Sequence, residues 1–283
     1  MKIIINADDF GYNRSVNKSI IDLAGIGTLS STTVMVNFEA AEEVKALYEF
    51  EDFSTGLHFN LTEGRPVSDP NEVKTLVDQN GFFWNYKTFI RRLKAKSIAP
   101  QEIYRELENQ YKRFVSLSGN HPTHIDSHQN VHKQFPVVRE LCRFAGAVGR
   151  KLRVRNPDRY ILHNNHIQKF FYSDSFTHSI RYNTTNLYLS FLSYYYSKHF
   201  STAYGELHYH TRKKVDMFEW ISTTRQIPNS PYIFEIPCHP SVDTNGLENS
   251  ALKQQRVDEY KLLSSNLFQE NLKRFELISY KSI

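Results

Sequence analysis

The chain has 283 residues, of which 40% are hydrophobic and 14% aromatic, so disorder is excluded as its overall state. No apolar run approaches about 18 residues, which argues against a membrane-spanning helix and a membrane partner. Lys and Arg number 35 against 30 Asp and Glu, a net charge of +5 spread along the chain, so we do not expect a nucleic-acid partner.

The start of the chain and its cysteines indicate a compartment. The apolar run at residues 3–5 is too short for a signal peptide, and carboxylates follow it at once. The two cysteines, Cys142 and Cys238, do not form a disulfide framework. We therefore expect a cytoplasmic protein with free thiols.

Short apolar runs, many of them β-branched, end abruptly in polar residues and predict strands. They lie at residues 3–5, 32–36, 56–59, 124–126, 152–154, 232–236 and 275–278. Helical spacing separates them, clearest over 101–117 and from Val257 to Leu267. This alternation predicts an α/β fold with a parallel sheet and external helices. Because composition does not change along the chain, we expect one barrel-like domain of about seven strands over residues 1–283.

Residues 157–220 depart from this pattern because they are dense in aromatic side chains and histidines. We expect helices here, inserted between two units of the barrel. An aromatic stripe of this kind is more typical of helix packing or of a subunit contact than of a ligand platform. A homodimer is therefore a working hypothesis.

The polar residues that end the predicted strands are unusual in kind. They are Asp8 and Asp9, His58, His239, and a run from 121 to 132 that holds Asp126 and four histidines. In a parallel barrel the carboxyl ends of the strands open onto one face, so these residues should converge. Carboxylates and imidazoles at one rim match the ligands of a divalent metal, with groups left for acid–base work.

Each element alone has an ordinary structural explanation. Asp8 and Asp9 are typical of a turn or a helix N-cap, and His58 in a strand is more often a core histidine than a ligand. Arg155 suits an acidic group on a substrate, although a structural ion pair is favoured. A solvated loop accounts poorly for the histidine-rich run. The joint occurrence at successive strand ends favours a metal or catalytic site.

Four motifs, in this order, resemble the YdjC-like family of carbohydrate deacetylases. They are NADDFG at residues 6–11, GLHFNLTEG at 56–64, PTHIDSH at 122–128 and EIPCHP at 235–240. The resemblance implies a distorted (β/α) barrel related to the polysaccharide deacetylase fold. It also implies a metal-dependent hydrolase that removes acetyl groups from N-acetylated carbohydrates.

By the family pattern, the metal ligands would be Asp9, His58 and His128, and the cation Mg²⁺ or Zn²⁺. Three protein ligands leave open positions on a metal, where it can lower the pKa of water and polarise an acetyl carbonyl. The substrate implied is a short N-acetylated oligosaccharide or a sugar-containing metabolite.

The remaining site residues also take their roles from the resemblance. Asp8 would be the general base, and His239 the general acid that protonates the leaving amine. His124 and Asp126 would orient the metal ligand or contact the substrate. Independently of the resemblance, Arg155 on the next predicted strand is a candidate for holding an acidic group of the substrate or for orienting a catalytic carboxylate.

Two departures and two alternatives accompany this interpretation. Asn130 stands where the family commonly has a further histidine, and Ser241 where a glycine is usual. The alternatives are an esterase or another amidohydrolase at the same metal site, and a catalytically silent carbohydrate-binding barrel. The presence of both Asp8 and Asp9 argues against the silent protein.

Overall fold

The structure, a computed structural model, describes residues 1–149, 152–163, 166–169, 188, 191–192, 194–196, 198, 200, 202–203, 205–209, 217–248 and 250–283. Nine strands of these residues form one sheet. They are β1 Lys2–Phe10, β2 Ser31–Val34, β3 Ser54–Phe59, β4 Ile125–Ser127, β5 Arg159–His163, β6 His166–Lys169, β7 Gly205–Tyr209, β8 Ile233–Cys238 and β9 Glu276–Leu277.

The sheet is curled into a half-barrel with β1 at its centre. The strand order is β4-β3-β2-β1-β8-β7-β5-β6, and β9 pairs with the start of β1. All of these pairs are parallel except β5 with β6. A single bridge from Ile125 to Val154 connects the β4 edge with the segment that leads into β5. Residues 152–158 therefore link the β4 edge of the curled sheet to β5 near its other end.

Helices cover the outside of the sheet. The α-helices are α1 Arg14–Gly25, α2 Tyr86–Lys94, α3 Pro100–Ser118, α4 Phe135–Val148, α5 Met217–Thr223, α6 Lys253–Leu263 and α7 Asn266–Leu272. Shorter 3₁₀ segments lie at Glu39–Glu49, Pro70–Glu72, His128–Lys133 and Tyr280–Ser282. In α3, the side chains of Ile103, Leu107 and Phe114 form the buried stripe that the spacing predicts.

β1 lies at the centre of the core, which explains its three consecutive apolar residues from Ile3 to Ile5. Every residue from Ile3 to Phe10 is buried, because the strand has neighbours on both sides and packed layers on both faces. Its partner β8 runs parallel to it from Lys2 opposite Ile233 to Ala7 opposite Cys238. The carboxyl ends of both strands consequently lie side by side.

The predicted α/β fold with a parallel, barrel-like sheet is confirmed as this half-barrel, with eight strands on its main path. Two details differ from the sequence interpretation. Residues 152–154 form no strand, and only Arg153 and Val154 take part in isolated bridges. The C-terminal helical stripe is divided into α6 and α7, because the side chain of Ser265 accepts from the Phe268 N–H and starts a new helix.

The expectation of helices throughout residues 157–220 is wrong for part of this region. Residues 159–163, 166–169 and 205–209 are strands that extend the sheet. Each of them pairs with a neighbouring strand, and this pairing gives strand structure where the aromatic content predicts helix. Residues 188, 191–192, 194–196 and 198 and helix α5 are helical and agree with it. Most of the remaining residues from 170 to 216 lie outside the described part. The homodimer stays a prediction.

Within the ranges described above, no helix has both the length and the apolar character required to cross a bilayer.

Candidate metal and catalytic site

A cavity of about 310 Å³ opens where β1, β3, β4 and β8 end. Its wall includes Asp8, Asp9, His58, Glu63, His128 and His239. The strand ends thus bring together five of the residues that the sequence places at one rim. This is the position at which parallel α/β sheets bind ligands.

A local irregularity in β1 aims both aspartates at the cavity. Side chains of successive residues in a regular strand point to opposite faces. The pairing of β1 with β2 shifts register between Ala7 and Phe10, and Asp9 has a left-handed φ of 69°. Such a bulge re-aims side chains, which is how adjacent carboxylates reach the same cavity.

Asp9 lies between two imidazoles. Its Oδ1 atom is 3.1 Å from His58 Nε2 and 3.1 Å from His128 Nδ1, and all three side chains are buried. Arg256 donates to the other oxygen, Oδ2. Two ligand atoms that share one ion at about 2.1 Å lie roughly 3 Å apart, so the three atoms fit a common divalent cation. One carboxylate oxygen and two imidazole nitrogens are also a suitable donor set for such an ion.

The far side of His58 is held by polar neighbours. Its Nδ1 atom is 2.7 Å from Asp126 Oδ1 and 3.0 Å from the Thr33 hydroxyl, which itself donates to Asp126. Burial lowers the pKa of His58, but the carboxylates of Asp126, Asp9 and Asp8 together outweigh it and raise that pKa to about 10. The ring is therefore fixed in plane, with Nε2 toward Asp9.

His128 is held through its other ring nitrogen, Nε2, whereas His58 is held through Nδ1. Its Nε2 atom is 2.9 Å from Glu63 Oε2, and Glu63 Oε1 accepts a hydrogen bond of 2.6 Å from the Tyr12 hydroxyl. Against burial, the bond to His128 lowers the pKa of Glu63, and the contact with Asp9 raises the pKa of His128. A second carboxylate thus supports the second imidazole.

Asp8 is held by an arginine behind the cavity wall. The two Nη atoms of Arg155 donate to Asp8 at 2.9 and 2.6 Å, Nη2 lies 2.8 Å from Asp126, and Nε donates to Glu235 at 2.7 Å. Burial raises the pKa of Asp8, but the Arg155 guanidinium outweighs it and holds that pKa well below the usual range. Asp8 is therefore ionised at neutral pH.

His239 is the side chain that faces Asp8 from β8. Its Nε2 atom is 3.6 Å from Asp8 Oδ2, and its side chain remains 31% exposed. The backbone N–H of His239 donates to Glu259 of α6 at 2.6 Å. The imidazole is thus anchored through its backbone, while the ring borders the cavity.

The residues expected to contact substrate from β4 and from the next strand lie behind the wall. His124 is 1% exposed and stacks on Tyr280 with ring centroids 3.7 Å apart. Burial lowers the pKa of His124 well below its ordinary value, so the ring is neutral. Asp126 and Arg155 are also buried and do not border the cavity. Their positions correct the expectation of a direct contact, since they can only support the side chains in front.

The two departures from the family pattern lie close to the rim. Asn130 borders the cavity. Asn130 and the preceding Gln129 both have left-handed backbone conformations, with φ of 57° for Asn130 and 51° for Gln129. Ser241 is buried, and its N–H donates to the Arg256 carbonyl. The serine therefore helps to seat α6 beside the site.

Several residues without a role in the sequence analysis contact the site residues, and four of them carry charge or a hydroxyl into the immediate surroundings of Asp8, Asp9 or His128. They are Tyr12, Glu63, Glu235 and Arg256. Glu63 and Glu235 lie within two of the family motifs, so these motifs could have identified them as candidate site residues. Arg256 lies in a helix of ordinary polar composition, and only the docking of that helix reveals it.

Comparison with known proteins agrees with the geometry. A model of the family described as YdjC-like protein matches residues 2–274. A carbohydrate deacetylase 2 from Listeria innocua is 32% identical in an alignment that spans 100% of this chain and 99% of that protein. A crystal structure from Enterococcus faecalis, provisionally described as a cellobiose-phosphate cleavage protein, superposes with a TM-score of 0.74 at 27% identity, covering 99% and 98% of the two chains.

Other relatives match over part of their length. A chitooligosaccharide deacetylase from Serratia marcescens is 40% identical over 54% of this chain, and a carbohydrate deacetylase from Mus musculus is 38% identical over 47%. These alignments cover 58% and 43% of the relatives, less than two thirds of either. Each of the four alignments covers about half of this chain or more. The three sequence relatives are named as deacetylases of carbohydrates.

Proposed function

Because the chain belongs to the YdjC-like family, we propose that it is a divalent-metal-dependent hydrolase that removes acetyl groups from N-acetylated carbohydrates. Its sequence relatives are named carbohydrate or chitooligosaccharide deacetylases, which supports a carbohydrate as the substrate and an acetyl group as the group removed. One observation carries the metal and the chemistry: His58 Nε2 and His128 Nδ1 each lie 3.1 Å from Asp9 Oδ1, at a cavity that Asp8 and His239 also border.

The proposed ligand atoms are Asp9 Oδ1, His58 Nε2 and His128 Nδ1. A cation held by them, Mg²⁺ or Zn²⁺ in this proposal, lowers the pKa of water and polarises an acetyl carbonyl. Arg256 engages the second oxygen of Asp9, which leaves Oδ1 to the ion. Asp126 holds the plane of the His58 ring.

Asp8 is proposed as the general base. Its pairing with Arg155 keeps the carboxylate ionised, and the same pairing fixes the direction of its lone pairs. A base must lie within reach of the proton that it abstracts, and the position of Asp8 in the cavity wall meets this requirement. Asp8 therefore takes the proton of the attacking water.

His239 is proposed as the general acid. An amine leaves an amide only when it is protonated, and imidazole transfers protons readily near neutral pH. The exposed ring and the distance of 3.6 Å to Asp8 place an acid beside the base. His239 thus protonates the nitrogen as the C–N bond breaks.

The cavity also limits the substrate. A volume of about 310 Å³ lies at the lower end of small-molecule pockets. It suits one acetylated sugar unit, with the rest of a short oligosaccharide outside. His124, Asp126 and Arg155 act in this proposal through the residues that they hold rather than on the sugar.

The decisive experiment is acetate release from N-acetylglucosamine oligomers by metal-reconstituted protein. We expect release that requires metal and falls at least 100-fold in Asp8→Asn and in His128→Ala. Asp22→Asn, which changes an aspartate of α1 that contacts Lys18, is the matched control and should retain full activity.

Other outcomes separate the alternatives. Release from O-acetylated but not N-acetylated sugars would identify an esterase at the same site. Sugar binding without any release, in protein that holds one equivalent of metal, would identify a silent binding protein and refute the proposal.

A further inference from the structure

We infer that Glu63, itself held by Tyr12, is a positioning residue that determines which ring nitrogen His128 offers to the metal. The inference rests on the proposed function only for the presence of the cation. It assigns a role to a side chain that borders the cavity and that contributes none of the three proposed ligand atoms.

The first step is the direction of the hydrogen bond. A neutral imidazole has one nitrogen that donates and one that accepts, and a carboxylate accepts. His128 Nε2 lies 2.9 Å from Glu63 Oε2, so the proton belongs on Nε2. The lone pair is then on Nδ1, the atom 3.1 Å from Asp9 Oδ1. Without Glu63, nothing described at Nε2 selects this tautomer.

The second step is that Glu63 is itself fixed. The Asn60 side chain accepts from the Glu63 N–H at 3.2 Å and donates to the Glu63 carbonyl at 2.6 Å. Asn37 donates to the same carbonyl at 3.0 Å. At the other end, the Tyr12 hydroxyl donates to Oε1 at 2.6 Å, and its ring packs on Phe38 with centroids 5.2 Å apart. The carboxylate is preorganised at both ends.

The third step is a comparison with the other imidazole. Asp126 holds His58 through Nδ1 and leaves Nε2 for the metal, which is the reverse arrangement. Asp126 is fully buried, whereas the Glu63 side chain is 27% exposed and borders the cavity. The support of His128 is therefore the one that a substrate can touch, and substrate binding should be coupled to the strength of metal binding.

The experiment is calorimetric titration of metal-free protein with Zn²⁺. We expect Glu63→Ala to bind the ion about 10–100-fold more weakly, as is typical when the partner of a metal-bound histidine is lost. Glu63→Gln keeps an oxygen that accepts from Nε2, so it should retain most of the affinity and also guards against a folding defect in the alanine variant. Tyr12→Phe should fall between wild type and Glu63→Ala.

The matched control is Tyr260→Phe. It removes another tyrosine–carboxylate hydrogen bond, of 3.0 Å to Asp22, outside the cavity. Zn²⁺ affinity should not change in this variant. A second readout is the ¹⁵N spectrum of His128 in Zn²⁺-loaded protein, which should show a protonated Nε2 and a metal-bound Nδ1.

Unchanged Zn²⁺ affinity in Glu63→Ala would overturn the inference, as would a proton on Nδ1 of His128 in the loaded wild-type protein. A wild-type protein that binds no metal would refute both this inference and the proposed function. Metal binding that depends on Glu63, without acetate release from any sugar, would refute the proposed activity and leave the inference standing.

Discussion

Asp8 and Arg155 form a two-pronged pair in which each oxygen of the carboxylate accepts from a different Nη atom, at 2.9 and 2.6 Å. Such pairing fixes the plane of a carboxylate as well as its charge. In that plane Oδ2 lies 3.6 Å from His239 Nε2. The arginine behind the wall therefore sets the direction in which the proposed base faces its partner acid.

Loss of Arg155 should destabilise the fold. Arg155→Gln leaves Asp8, Asp126 and Glu235 buried without their shared cation, so the free energy of unfolding should fall by about 3–5 kcal/mol. Urea unfolding measures the change. Arg105→Gln, which removes a half-exposed contact with Glu72, should cost less than about 1 kcal/mol. Equal losses in both variants would contradict the prediction.

His239 should matter most for poor leaving groups. We expect His239→Ala to lower kcat for N-acetylated sugars by about 10²–10⁴, because the amine then lacks its proton donor. An aryl acetate, whose phenolate leaves without protonation, should lose less than about tenfold. Steady-state rates on both substrate types provide the test, and an equal loss on both would exclude a general-acid role.

The metal-free protein should lose stability as the pH rises above neutrality. Against burial, the neighbouring carboxylates, Asp126 foremost, raise the pKa of His58 from 6.5 to about 10 in the folded chain, so folded protein binds this proton more tightly than unfolded protein does. The resulting contribution to the free energy of unfolding is complete below about pH 6.5 and disappears as the pH rises towards 10. Urea midpoints measured with a chelator between pH 6.5 and 9 should therefore decline.

The matched test of this decline is His58→Asn. The asparagine cannot titrate, so the part of the slope that belongs to residue 58 should vanish. A slope in His58→Asn equal to that of the wild type would assign the pH dependence to other groups.

Gly56 should tolerate no side chain. A Cβ at this position would lie 2.5 Å from the His124 ring, which is held against Tyr280 by stacking. Gly56→Ala should therefore reduce the free energy of unfolding by about 1–3 kcal/mol through overpacking. Gly25→Ala is the control, because its nearest atom would be 3.7 Å away. Denaturant unfolding of both variants measures these changes in the free energy of unfolding. A Gly56→Ala variant as stable as the wild type would show that the His124 ring can move.

The convergence of Asp8, His58, His128 and His239 was predictable because each follows or lies in an apolar run, and parallel strands end at one rim. That argument needs only strand order and direction. It did not predict that His124 faces away from the cavity, since β4 alternates and its register against β3 decides which face a side chain takes. The same register places Asp126 behind His58.

Other features depended on tertiary contacts that no local pattern records. Arg256 reaches Asp9 across 247 residues because α6 packs against α1, the helix that follows β1. The sequence predicts helices over β5 and β7 because both lie in a region dense in aromatic side chains, and each strand is only five residues long. Short segments of this kind acquire strand structure from the partner beside which they fold.

The support of Asp8 also has a consequence for the order of assembly. Arg155 is joined to Glu235, and Glu235 accepts from the hydroxyl of Tyr280, which stacks on His124. A nascent chain on the ribosome that has emerged as far as His239 carries every proposed catalytic and metal-binding side chain, yet it still lacks the tyrosine that closes this path. Maturation of the site should therefore wait until Tyr280 has also been synthesised and can donate to Glu235.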